Sequence, residues 1–427
     1  MAIIDNIRSI YHSLKSRSIL QNYTWMTILN IVSPLIGVIL YPFVIRKTGS
    51  DSYGLFVFAQ SVIQYAVQLV SFGFDVPAAK TIAQNKTDKA LQSKLVTHVL
   101  AMKTMLSLIA VATFLPFVFT LSILSDNKPI FLWSITLIIA ELFNLQFFFQ
   151  GIGKMKVMSI MSLVFRILMI PAVFLFIDGP EDNVTYMIIT GVTLSVGPIC
   201  NFLWMIWKEN VSFTPFSFSY ARKLTKDALP FFCTYIFGLL KTSTLTVLIG
   251  IFLGMTDVAV YDLGNKIVNI FRNFTQNINT ALFPEVVNKA SRNNINRVFR
   301  YETIISLTVI ILIAVVGYPL VLILGGPSMT MAYPVAVILS FTIYSYLIVG
   351  AYLNFIFVPS NKYYFVTIEQ IIACVSCLTL FLLLATLFNA IAPEYIILSV
   401  ALSMAASSAL ELVFCRYADK KTIQKPL

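Results

Sequence analysis

Five basic side chains sit where a membrane would exclude them. Lys103, Arg166, Lys241, Lys266 and Arg272 each fall inside an otherwise apolar stretch, and Glu141 is the one carboxylate near the middle of such a stretch. An uncompensated charge at a bilayer centre costs on the order of 2.5–3.5 kcal/mol on insertion scales, so such groups persist only where they meet partners or water. Asp262 lies one turn before Lys266, and the i, i+4 spacing lets the two neutralise each other. Lys103 is near enough to the end of its stretch to snorkel to the interface. Glu302, Glu369 and Glu411 fall near stretch ends and read as interfacial. The remaining interior is net cationic, and its chemistry is anion binding. Lys241, Lys266, Arg272 and Arg166 are the candidates to hold a phosphate or pyrophosphate group, and a cationic ligand is disfavoured. Glu141 and Asp262 are the candidates for coupling to a proton or sodium ion.

Polar amides accompany the charges. Gln60, Gln64 and Gln68 recur at i, i+4, i+8, one face of a helix. They suit either hydrogen bonding between helices or a hydrated cavity. Asp262, Lys266, Asn269, Asn273, Gln276 and Asn277 lie largely on one face of another stretch, more polar groups than packing requires. Asn30 and Tyr41, and Tyr235 and Thr242 beside Lys241, add to the set. These residues would line a water-filled cavity and hydrogen-bond a hydroxyl-rich ligand.

The elements that position these groups are transmembrane helices. The chain is 58% hydrophobic and 11% charged, with a mean hydropathy of +0.85; soluble domains are roughly 45–50% apolar and about 25% charged. A span needs about 20 apolar residues. Twelve fit, at 25–45, 54–74, 95–119, 130–150, 157–177, 185–206, 229–252, 258–281, 302–324, 335–358, 363–388 and 395–415. The eighth is the least apolar. Continuously apolar segments such as Phe114–Leu124 and Thr303–Val316 exclude a β-barrel, whose strands alternate. The expected fold is an all-α polytopic membrane protein with about 12 helices.

With twelve spans both termini share a side. Placing the N-terminus inside puts 22 Lys and Arg in inside segments and 3 outside, with 5 in spans. The positive-inside rule therefore sets both termini in the cytoplasm. The formal net charge of +11 is a topology signal, and no basic, aromatic-interleaved soluble domain points to nucleic acid. The first span reads as a signal anchor, because it lacks an A-x-A-like cleavage site. Ahead of it, Ile3, Ile7, Ile10, Tyr11 and Leu14 face away from Arg8, Lys15 and Arg17, as in an amphipathic helix at the membrane surface. The expected segments are 1–24 (cytoplasmic amphipathic), 25–206 and 229–415 (six helices each), 207–228 (cytoplasmic linker) and 416–427 (tail). Both six-helix segments start inside, as in a parallel repeat. Gly49, Asp51, Tyr53 and Gly54 after the first span echo Gly254, Asp257, Tyr261 and Gly264 after the seventh.

Catalytic signatures are missing. Outside loops reach only about 10 residues and inside loops about 20, too little for a nucleotide-binding domain or for the outside domain of a glycosyl polymerase. Gly151-Ile-Gly-Lys154 lacks P-loop spacing. Two histidines, His12 and His98, make no zinc motif. Cys374-x-x-Cys377 has redox spacing, but inside a span it reads as two small apolar residues. The expectation is a transporter without cofactor or metal, and not an enzyme.

Local patterns then converge on a family. Arg46-Lys-Thr-Gly49-Ser-Asp-Ser-Tyr53-Gly54-Leu-Phe56 resembles the LG-x-x-x-YG-L-F turn of bacterial polysaccharide flippases, with Thr48 in place of the usual Leu. Phe72-Gly73-Phe74 with Ala78-Ala-Lys80-Thr-Ile-Ala83, Phe147-Phe-Phe-Gln150-Gly151-Ile-Gly-Lys154 and Pro284-Glu285 are similar to further family segments. Over the whole chain it resembles the Wzx-type O-antigen or capsule flippases of the multidrug/oligosaccharidyl-lipid/polysaccharide exporter superfamily. The resemblance implies two six-helix bundles around a central cavity in the bacterial inner membrane. It implies transfer of an undecaprenyl-pyrophosphate-linked oligosaccharide to the periplasmic leaflet by alternating access, with membrane lipids, a polysaccharide polymerase and a chain-length regulator as partners. A multidrug/cation antiporter and a lipid II flippase of the same superfamily are the alternatives.

Overall fold

The computed structural model describes residues 2–288, 292–357, 360, 362 and 364–423, with side chains described for 24–25, 27–29, 32–273, 295–357, 360, 362 and 364–420. The side chains of the N-terminal amphipathic segment, with its expected face of Ile3, Ile7 and Ile10, lie outside the described residues.

The described residues are mostly helical, with no strand among them. In lipid each backbone N–H and C=O must be satisfied within its own helix, so apolar runs of this length have no other state. The helices are α1 (Ala2–Ser71), α2 (Asp75–Gln84), α3 (Lys89–Thr120), α4 (Ser122–Ser125), α5 (Lys128–Ser134), α6 (Thr136–Leu142), α7 (Gln146–Ile152), α8 (Met155–Phe176) and α9 (Asn183–Glu209). They continue as α10 (Phe218–Phe252), α11 (Met255–Asn288), α12 (Arg292–Leu324), α13 (Ala332–Tyr352), α14 (Tyr364–Ile391) and α15 (Ile397–Ile423). A π-helical turn, Leu353–Phe357, extends α13.

Each of the twelve expected spans has a helical counterpart. Among the described residues ten helices are long and apolar enough to cross a membrane. One of them, Thr27–Gln84, runs for 58 residues and supplies two spans, joined where Gly49 leaves helical geometry at φ 82° and ψ 164°. The remaining span is α11, which is 34 residues long but carries Asp257, Asp262, Lys266 and Arg272. The fourth span differs from the continuous helix expected over 130–150. It is broken into α5, α6 and α7, with irregular backbone at Phe143–Leu145.

The chain forms two compact units, and neither is contiguous. The first holds Met1–Ile36, Ala66–Phe176 and Val184–Phe232; the second holds Gly37–Tyr65, Ile177–Asn183 and Cys233–Leu427. The first has a core of Phe74, Ile82, Leu95, Val99, Phe147, Phe148, Phe149 and Met205. Gly151 belongs to this core region because a Cβ there would lie 2.6 Å from the Ile82 side chain. The segment after α9 is laced to α3 in the same unit. Ser212 N donates to Ser93 Oγ (3.2 Å), Thr214 N to Thr97 Oγ1 (3.2 Å) and Ser217 N to His98 Nε2 (2.8 Å). His98 Nδ1 donates to Lys94 O (2.6 Å), which fixes its neutral tautomer and makes it a structural residue. Lys154, the lysine of the P-loop-like fragment, pairs with buried Glu209, as does Lys89 at 3.2 Å.

In the second unit the Gly49–Gly54 turn seats the outer part of α1 on the start of α11. A Cβ on Gly54 would fall 1.7 Å from the Met255 carbonyl oxygen. The Gly49 conformation belongs to a region that only glycine enters without strain of about 1–3 kcal/mol. Gly37, by contrast, has nothing within 4 Å of a built Cβ. Gly54→Ala is therefore expected to lower the thermal midpoint of the detergent-purified protein by several degrees, through overpacking of about 1–3 kcal/mol. Gly37→Ala should leave that midpoint unchanged or raise it. Equal midpoints for both variants would show that the Gly54 approach is not needed.

Candidate functional site

The first unit holds a buried ionic cluster built on the break in the fourth span. Ending a helix inside lipid frees carbonyls that need donors, and Lys103 of α3 supplies them. Its fully buried Nζ donates to Glu141 Oε1 at 2.8 Å, to Glu141 O at 3.2 Å and to Asn144 O at 3.1 Å. Three ammonium donors thus meet three acceptors. Asn144 Nδ2 donates to Glu141 Oε2 at 3.1 Å, and its Oδ1 accepts from Gln146 N at 3.3 Å, capping α7. Lys103 accordingly does not snorkel; the freed carbonyls and Glu141 hold it in the interior. Asp75, at the start of α2, shares the field of Lys103 and Glu141. Its Oδ1 is buried and has no hydrogen-bond partner among the described residues.

The second unit carries two further groups. In one, Tyr53 Oη donates to Asp262 Oδ2 at 2.8 Å, while Lys266 Nζ donates to both Asp262 and Tyr53. The ammonium also lies 5.0 Å from the Tyr41 ring and 5.2 Å from the Tyr53 ring, within cation–π range. The i, i+4 pair expected from spacing is present, and two tyrosines from α1 enclose it. In the other group Lys241 of α10 pairs with Glu411 of α15. Glu369 of α14 faces both, and its Oε2 accepts from Gln370 Nε2 at 2.8 Å. Glu369 Oε1 is buried with no hydrogen-bond partner among the described residues. Two carboxyls therefore surround one ammonium.

Glu302, Glu369 and Glu411, read from the sequence as near span ends, are all buried against neighbouring helices. Hydropathy places a residue along the membrane normal, whereas burial against neighbouring helices is set by packing. Both oxygens of Glu302 lack a hydrogen-bond partner among the described residues. Cys374 and Cys377 are buried and free.

The other sequence candidates distribute as follows. The Arg272 guanidinium lies 5.1 Å over the Tyr346 ring. Asn269, three residues earlier, has a buried Oδ1 with no hydrogen-bond partner among the described residues, and Asn273 is half-buried. Arg166 is partly buried on α8, between exposed Val164 and Ile167, and has no ion pair among the described residues. Gln60, Gln64 and Gln68 are partly buried along α1, and Gln68 Nε2 is buried with no hydrogen-bond partner among the described residues. The side chains of Asn30 and Gln276 lie outside the described residues.

Sequence reasoning missed Asp75, Glu369 and Glu411. Asp75 was counted with the loop after the second span, and the two glutamates were placed at span ends. The available signal was Lys241, a cation on a span that offers no carboxylate of its own.

This arrangement binds and neutralises charge; it does not assemble a nucleophile with a base. A family model described as "Polysaccharide biosynthesis protein" matches residues 19–289. A protein of Escherichia coli (strain K12) named "Putative O-antigen transporter" is 24% identical over 311 residues, which cover 72% of this chain and 74% of that protein. Among solved structures, the lipid II flippase MurJ in an inward closed conformation superposes over 92% of this chain and 87% of its own, with a TM-score of 0.72 at 12% identity. A multidrug resistance MATE family transporter of the MOP superfamily, inward-facing, superposes over 94% and 96%, with a TM-score of 0.69 at 14% identity. At these identities the likeness to solved structures is one of fold.

Removing one partner of a buried pair strands the other, at about 3–5 kcal/mol, whereas apolar replacement of both is tolerated. Glu141→Ala should therefore cut the amount of folded protein in the membrane sharply, and Lys103→Met/Glu141→Met should recover much of it in a fluorescence-detected gel-filtration assay. A single variant as stable as the parent would remove the ion pair from the account.

Proposed function

This chain belongs to the polysaccharide biosynthesis protein family, and from that premise we propose that it is a flippase moving an undecaprenyl-pyrophosphate-linked oligosaccharide from the cytoplasmic to the periplasmic leaflet. The substrate is an O-antigen or capsule repeat unit, and transport works by alternating access in the bacterial inner membrane with both termini cytoplasmic. A polysaccharide polymerase and a chain-length regulator would act on the delivered units. The observation that carries the proposal is the family match over residues 19–289. The polar face of α11, held inside a membrane span, supports it.

Arg272 is the leading pyrophosphate ligand in this proposal, because a planar guanidinium fixed by an aromatic face matches phosphate oxygens in pairs. Arg166 is a second cation, on the other unit. Lys241 and Lys266 already hold carboxylates and would serve an anion only by exchanging them. Asn269, Asn273, Gln276, Asn30 and the three glutamines would meet sugar hydroxyls. For ion coupling, Glu141 and Asp262 stand with Glu369, which faces the Lys241–Glu411 pair. A second reading, lipid II flipping, is favoured by the superposition on MurJ.

Deleting the gene in its host should abolish surface polysaccharide and leave single lipid-linked units in the inner membrane. Arg272→Ala should do the same at normal protein abundance, since truncating a buried charged ligand costs about 2–5 kcal/mol of binding; Arg272→Lys should restore part of the polymer. Arrest of growth with accumulated lipid II would favour the second reading. Intact polymer with altered drug sensitivity would move the protein to the antiporter branch.

A further inference from the structure

A basic, aromatic cavity lies apart from the groups described above. It sits in the second unit, between the first turns of α12 and the ends of α13 and α15, with a volume of about 310 Å³. Arg300 and Arg416 stand at its mouth, both exposed, and Thr303, Tyr344 and Tyr352 line it. Arg416 Nη2 donates to Tyr344 Oη at 3.5 Å, which bridges α15 to α13. Tyr352 is held by the Phe299 ring, 4.7 Å away. Thr303 Oγ1 spends its proton on Phe299 O at 2.7 Å.

Three features fix the ligand chemistry. Two guanidiniums from different helices converge on one recess, and among the described residues no carboxylate lines it. Glu302, two residues after Arg300 in sequence, is buried, and Asp419, one turn beyond Arg416, is buried as well. The recess lies at the end of the helices that the Lys and Arg distribution assigns to the inside, where anionic head groups of the inner leaflet gather. Finally, the cavity continues onto an apolar strip. Ile304 lines it, and Leu307, Ile311 and Val315 follow on the same exposed face of α12. Leu410, Val413 and Tyr417 are exposed on α15. A charged recess opening onto an apolar strip suits a molecule with a phosphate at one end and a hydrocarbon chain behind it.

We propose that Arg300, Arg416 and Tyr344 form a binding site for the phosphate of an anionic phospholipid, with an acyl chain laid along Ile304, Leu307 and Ile311. The arginines take the phosphate oxygens and the tyrosine hydroxyl donates a further hydrogen bond. The site is separate from Arg272 and from both lysine–carboxylate groups, so it serves as a docking point for bilayer lipid. Free phosphate and a polyprenyl pyrophosphate share the head chemistry, and the measurement must separate them.

Native mass spectrometry of the detergent-purified full chain does so. It is titrated in turn with phosphatidylglycerol, phosphatidylcholine, inorganic phosphate and undecaprenyl pyrophosphate. The expected result is retention of phosphatidylglycerol over phosphatidylcholine, with binding about tenfold or more weaker in Arg300→Gln/Arg416→Gln and partly weaker in Tyr344→Phe. Both arginines are exposed, so the double variant should purify at normal yield; a matched control, Arg222→Gln/Lys223→Gln, should keep wild-type lipid binding. Equal retention by the double variant overturns the site. Inorganic phosphate competing as well as the lipid reduces it to a free-anion site, and undecaprenyl pyrophosphate displacing phosphatidylglycerol at lower concentration makes it a substrate dock. Either result overturns the phospholipid assignment while leaving the flippase proposal standing.

Discussion

A charge or an opened backbone inside lipid must bring its own partner, and this fold is organised by that rule. The fourth span breaks at Phe143–Leu145, which exposes carbonyls where no water is available. The fully buried ammonium of Lys103 meets two of them and the Glu141 carboxylate together. Cause and effect run both ways. Without the break Lys103 would lack neutral acceptors, and without Lys103 the Asn144 carbonyl would lose the donor that meets it, while Glu141 O would keep only Asn144 N. Neither α3 nor the fourth span is comprehensible alone.

The second unit solves the same problem with side chains. Asp262 and Lys266 share one helix, so their pairing costs little chain entropy, and the hydroxyl of Tyr53 completes the coordination. Lys241 and Glu411 come from α10 and α15, so they meet only when the unit is assembled. The two arrangements differ in what they leave over. The Asp262 oxygen nearest Lys266 is doubly engaged, while the Lys241–Glu411 pair has a second carboxyl, Glu369, beside it. Two carboxyls around one ammonium in a low-dielectric setting carry a penalty that the single Asp262–Lys266 pair does not.

Hydropathy made the all-helical, polytopic class legible, because an apolar run of about 20 residues has one structural outcome in lipid. It also exposed the polar face of α11, since three charged residues in one span, Asp262, Lys266 and Arg272, cannot be averaged away. Local chemistry identified Gly49, Tyr53 and Gly54 as a turn, and the structure supplies their reasons: a positive φ, a hydrogen bond to Asp262 and a backbone contact at Met255. The break at Asn144 was not legible. A window average sees only that Phe143 and Leu145 are apolar, and the Asn144 side chain that caps α7 carries too little weight to lower it. The burial of Glu369 and Glu411 was hidden for a related reason. Their height in the membrane could be counted along the chain, but the facing lysine is 170 residues from Glu411.

The amides can be sorted by the same logic. Polar groups that only tie helices together should find all their partners within the protein, as Tyr65 does with Thr244 at 2.7 Å and Thr234 with Thr367 at 3.1 Å. Gln68 Nε2 and Asn269 Oδ1 do not: each is buried and lacks a hydrogen-bond partner among the described residues. An unmet donor or acceptor costs about 1–3 kcal/mol, a persistent penalty that helix packing gives no reason to keep. Water or a hydroxyl-bearing ligand removes it. Gln68 and Asn269 are therefore set apart from the engaged threonines and tyrosines, whose hydrogen bonds are spent on holding helices together.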